Sequence, residues 1–199
     1  MMVFWRERLV FLATTKTAST SIEAALGSKA ALLIKSPPAI KHVGPQKFHR
    51  FLAPYLGEKP DQPFELVALM REPVDWLGSW YRYRQRPGVR AESSTAHLSF
   101  DGFIEAHCQE NPPECAAVGK QADYLMPRQG RQVDHVFRYE EIDYFVAFME
   151  ARLNMAINLP RRNVSPAGSI ALSPANLALL ETHCARDFAL YHGLNRPTV

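Results

Sequence analysis

The chain has 199 residues, 47% hydrophobic and 22% charged, which suits one folded domain over 1–199 and excludes wholesale disorder. Its 23 basic and 20 acidic side chains leave a formal charge of +3, enough to favour a small anionic ligand and too little for a nucleic-acid coat. No apolar run reaches the roughly 18 residues that span a bilayer, and residues 1–8 carry charges where a signal peptide has its apolar core, so a cytoplasmic protein without a membrane span is expected.

Taken in chain order, residues 8–13 read as a buried strand. A Thr/Ser-rich turn and a short helix over 21–26 follow, stopped by Gly27. Residues 31–34 form a second strand candidate. Between 45 and 56, Phe48, Phe51, Leu52, Tyr55 and Leu56 recur at helical spacing and predict one apolar stripe, with Pro45 in its first turn. Residues 64–70 are the strongest strand, running into Arg71-Glu72-Pro73, where proline opens a helix to about Arg84. An exposed loop precedes a helix over 100–109, then come a strand over 133–138 and a helix over 144–153. Ser173 and Pro174 start a terminal helix whose one face is Leu177, Leu180, Cys184 and Phe188. Short apolar runs alternating with helical periods predict an α/β fold with a helical C-terminal half. Cys108, Cys115 and Cys184 form no CxxC pair and match no structural-zinc spacing, so neither a disulfide framework nor a metal site is expected.

Two strand ends carry the chemistry. After the first strand, a turn opening a helix aims backbone N–H groups and the positive helix end at one point, where an anion is favoured. Lys16 adds a full charge, and Thr17, Ser19, Thr20 and Ser21 add hydroxyls. The other reading of this stretch is a Ser/Thr-rich helix cap beside a surface lysine. A Walker loop does not fit, because no glycine lies between Arg6 and Gly27. Arg71 sits at the carboxyl end of the strongest strand, the edge where open α/β sheets bind ligands, and Ser79 follows on the next helix. Together they can grip a second phosphate; alone, Arg71 fits an ordinary ion pair equally well.

In this arrangement the chain resembles the sulfotransferases that use 3′-phosphoadenosine-5′-phosphosulfate (PAPS). Lys16 to Ser21 after a strand looks like their 5′-phosphosulfate loop, and Arg71-Glu72-Pro73 with Ser79-Trp80-Tyr81 looks like their 3′-phosphate motif. Residues 137–142 and Asn163-Val164-Ser165 are similar to later family segments, so the resemblance runs from about 9 to 192. It implies a P-loop-like three-layer fold with a central parallel sheet flanked by helices. It also implies that Lys16, Thr17, Ala18, Ser19, Thr20 and Ser21 hold the phosphosulfate and that Arg71 and Ser79 hold the 3′-phosphate. One of Arg161 and Arg162, in a polar loop, would close over a nucleotide phosphate, with Arg162 the choice for the site. Two departures stand out: Thr15 replaces the usual proline before the lysine, and the loop lacks the family's glycine.

Transfer of the sulfuryl group to an acceptor hydroxyl or amine needs a base. His42 in Lys41-His42-Val43-Gly44 is the candidate, matching a histidine in the carbohydrate-modifying branch, and a plain loop histidine is the competing reading. Glu23 is the runner-up, with a solvated helix position as its ordinary role. A small-molecule or glycan acceptor is implied, and no metal is expected because lysine and backbone donors supply the positive field. The basic and aromatic run of Tyr81, Arg82, Tyr83, Arg84, Arg86 and Arg90 reads as a solvated helix face or as an acceptor surface. Two other classes stay open: a P-loop-type kinase of small molecules, and a nucleotide-binding α/β protein without turnover.

Overall fold

The computed structural model describes residues 1–160 and 170–194. Arg162 and the Asn163-Val164-Ser165 segment lie outside the described residues. The chain divides into two compact units, one built from residues 1–71 and 121–160, the other from 72–120 and 170–193.

The first unit is α/β. Its strands are β1 (Met2–Phe4), β2 (Leu9–Phe11), β3 (Leu32–Leu33), β4 (Glu65–Met70) and β5 (His135–Arg138). They form one sheet in the order β3-β1-β2-β4-β5. The expected parallel sheet is therefore corrected to a mixed one. β2, β4 and β5 run parallel, with Val10 opposite Leu66 and Ala68 opposite Val136. β1 pairs antiparallel with both β2 and β3. The reason is local: residues 5–8 turn back, with Arg8 at φ 50°, so Met2–Phe4 return onto β2 as a hairpin. That strand is three residues long, too short to show a periodicity.

Alternate residues, Met2 and Phe4, Leu9 and Phe11, Val67 and Leu69, share one buried core cluster, as a strand period of two requires. Ile22 and Leu26 of α1 (Ser19–Leu26) and Phe145 and Met149 of a later helix join the same cluster. Val3, Val10, Leu66 and Ala68 are also fully buried, so these strands read as continuous apolar runs.

Short helical turns, α2 (Pro38–Lys41) and α3 (Pro45–Lys47), lead into a wide π turn over Phe48–Leu52 and then α4 (Ala53–Tyr55). Here the expected single stripe breaks. Pro54 has no N–H, and its ring crowds the carbonyl four residues back. The Ala53 N–H reaches the Phe48 carbonyl, one residue further than in an α-helix, and the phase shifts. Phe48 is fully buried, but Phe51 is 62% and Tyr55 87% exposed.

The second unit is helical. Its helices are α5 (Pro73–Arg84), α6 (Phe100–His107) and two that come later in the chain. Glu72 caps α5 by accepting the Asp75 N–H at 2.7 Å, and Ser99 caps α6 through Gly102 at 3.0 Å. α7 (Gln121–Leu125) and α8 (Ile142–Leu153) belong to the first unit. The terminal helix is two: α9 (Pro174–His183), capped by Ser173, and α10 (Ala185–Gly193). Trp76, Phe103, Leu180 and Cys184 are in one core cluster. The three thiols are free, and Cys184 lies 3.7 Å from His107 Nε2. Among the described residues no helix is long and apolar enough to cross a membrane.

Candidate anion site at the β2 and β4 strand ends

The turn between β2 and α1 has an unusual backbone. Lys16 and Ala18 both sit at positive φ, 64° and 56°, the left-handed region that costs an L residue about 1–2 kcal/mol. Two of the four non-glycine residues with positive φ among the described residues thus fall in this one turn. Strain held in so short a segment is a mark of functional loops. No glycine relieves either position, so the turn keeps this conformation at a cost.

α1 starts without a side-chain cap. Ala18 occupies the N-cap, and its carbonyl accepts the Ser21 and Ile22 N–H groups at 2.9 and 3.1 Å. The Thr17 hydroxyl donates to the Thr14 carbonyl at 2.9 Å and is fully buried. The Ser/Thr-rich stretch therefore does not act as a side-chain cap. Among the described residues no acceptor faces the Ser19 and Thr20 N–H groups, the open donors at a positive helix end. Ser19 and Ser21 are buried, Thr20 is exposed, and Lys16 is half-buried.

Arg71 reaches this turn. It follows β4, the parallel neighbour of β2, and its Nη1 donates to the Lys16 carbonyl at 3.1 Å. Its guanidinium also lies 4.8 Å from the centre of the Tyr139 ring, a cation–π distance. The two anion-binding candidates predicted at two strand ends are therefore adjacent. Ser79 sits on α5 in the second unit, 2% exposed.

His42 is tied to the same turn from the other side. Its Nδ1 lies 2.6 Å from the Ala13 carbonyl, and since a carbonyl only accepts, Nδ1 carries the proton. In the neutral ring Nε2 then holds the lone pair. Burial lowers the His42 pKa below its usual value; the Ala13 hydrogen bond opposes this, and the Lys41 charge adds to it.

Glu23 is not a solvated helix residue, which corrects the expectation. It is buried, and Lys41 Nζ meets both its oxygens at 2.9 and 3.2 Å. This pair fastens the segment before His42 to α1. Tyr124 fastens the segment after it, donating its hydroxyl to the Val43 carbonyl at 2.8 Å. Burial pushes the Tyr124 phenol far above its ordinary range, so it stays a donor at any physiological pH.

Sequence reasoning brought Lys16, Arg71 and His42 to one sheet edge. It missed Lys41, Tyr124, Tyr139 as a partner of Arg71, and Gln121, whose amide bonds the Arg71 peptide. No local signal announces such partners, which lie 18 to 81 residues away in the chain. No protein-family model matches the chain, and no curated protein matches it.

Proposed function

We propose that the chain is a sulfotransferase that moves a sulfuryl group from PAPS to a hydroxyl of an acceptor, a carbohydrate in the first instance. On this reading the first unit is a P-loop-like three-layer fold. One observation carries it: a strained, uncapped strand-to-helix turn whose Lys16 carbonyl is held by the guanidinium of Arg71 from the neighbouring strand end.

The residues fit the donor. Ser19 and Thr20 offer N–H groups, and Lys16 and Arg71 offer charge. Lys16 and the α1 turn would hold the phosphosulfate; Arg71, with its planar fork, would read the 3′-phosphate. When bound, the donor supplies an activated sulfuryl group with a phosphate leaving group. Lys16 and the helix dipole place positive charge at the turn, where negative charge builds on a departing oxygen. His42 takes the acceptor proton at Nε2, because Nδ1 is committed to Ala13 and burial keeps the ring neutral.

The test is transfer from ³⁵S-labelled PAPS to a panel of oligosaccharide and small hydroxyl acceptors. Wild-type protein labels at least one of them, and Lys16→Ala, lacking the charge at the departing oxygen, labels none. Equal labelling by Lys16→Ala contradicts the assigned role.

A further inference from the structure

β4 ends at Met70, which pairs with Arg138 in the last register of the ladder. Arg71 lies one residue beyond, where its own N–H and C=O have left the ladder. The side chain of Gln121 meets both. Oε1 accepts the Arg71 N–H at 3.0 Å, and Nε2 donates to the Arg71 carbonyl at 2.8 Å. A primary amide has one acceptor and one donor arranged like those of a peptide, so Gln121 acts as one more residue of a neighbouring strand.

Gln121 is 1% exposed, and an amide buried to that degree needs these partners. Arg71 is also where the chain leaves the first unit and Gln121 where it returns. The two ends of the intervening segment are therefore pinned within the first unit. With the Arg71 backbone held at both its N–H and its carbonyl, its side chain reaches the Lys16 carbonyl and the Tyr139 ring.

We propose that Gln121 is a positioning residue that sets the Arg71 guanidinium at the anion site and so determines the preference for a nucleotide with a 3′-phosphate. The inference rests on the donor reading above. It differs from a packing role in a measurable way, because the 3′-phosphate should feel it far more than the 5′-phosphate.

The experiment compares wild-type, Gln121→Met and Gln121→Glu proteins. Gln121→Met removes both hydrogen bonds at similar volume; Gln121→Glu keeps the acceptor and loses the donor, and serves if Gln121→Met fails to fold. Calorimetric titration uses adenosine 3′,5′-bisphosphate and adenosine 5′-phosphate. The expected result is a loss of about tenfold or more in bisphosphate affinity with a much smaller loss for the monophosphate. Adding Arg71→Ala should then cost nothing further. Equal losses for both nucleotides, or full additivity with Arg71→Ala, overturn the proposal. A second readout needs no nucleotide: ¹⁵N spectra of the Arg71 guanidinium. Slowly rotating, resolved Nη–H signals in the wild type that broaden in the variants support positioning; signals unchanged in the variants overturn it. A wild-type protein that ignores the bisphosphate while the guanidinium signals respond to Gln121 sinks the donor reading alone.

Discussion

Replacing Glu23 by glutamine removes the carboxylate that Lys41 meets at 2.9 and 3.2 Å. The two side chains are 7% and 15% exposed, so the pair is largely out of water. At this separation and an effective dielectric of about 20, the gross attraction is roughly 6 kcal/mol. Desolvation of both ions offsets most of it, so replacing the pair outright is close to neutral, whereas deleting one partner typically costs about 3–5 kcal/mol. The residual exposure of Lys41 places Glu23→Gln at the low end, about 3 kcal/mol, or roughly 6–12 °C in Tm for a chain of this size. Urea and thermal unfolding of Glu23→Gln, Lys41→Met and the double variant measure it. The double variant should lie close to wild type, less destabilised than the sum of the singles by about 3 kcal/mol or more. Additive singles, or single losses below about 0.5 kcal/mol, would refute the claim that this pair anchors the His42 segment to α1.

Two further outcomes follow from the turn and the histidine. Ala18→Gly relieves a left-handed residue at φ 56°, so it should stabilise the chain by about 0.5–1 kcal/mol after the entropy cost of glycine; a lower urea midpoint contradicts the strain. The lowered pKa of His42 means its neutral ring contributes stability that is complete above the unfolded value near 6.5 and is lost as pH falls through the folded value. On the sulfotransferase reading, the acid limb of kcat/KM should accordingly lie below 6.5 and His42→Ala should lose turnover while still binding nucleotide; an NMR titration midpoint at or above 6.5 contradicts the burial argument.

The parts of the fold that read directly were those with local signals. β2 and β4 are largely apolar runs, β5 centres on Val136-Phe137, and the helix starts at Pro73 and Pro174 carry their own caps. The position of Arg71 was legible because it follows β4 directly, and that of Lys16 because it lies in the turn between β2 and a helix start. β1 was not, since its three residues gain their identity from pairing on both edges. The 45–56 stripe misled because period alone ignores Pro54, which widens the turn and moves Phe51 and Tyr55 to the surface. Glu23 looked solvated because its partner, Lys41, arrives from another element. The same holds for Gln121, separated from Arg71 by 50 residues and joined to it only by the return of the chain.

On the proposed reading, the turn at Lys16 and the guanidinium of Arg71 together hold a nucleotide with phosphates at the 3′ and 5′ positions of its ribose. Calorimetric titration with adenosine 3′,5′-bisphosphate, beside ATP with magnesium, tests it without knowledge of the acceptor. Tight binding of the bisphosphate, weak binding of ATP, and loss of the difference in Arg71→Ala are expected. A preference for ATP with magnesium, or no binding of either nucleotide, would contradict it.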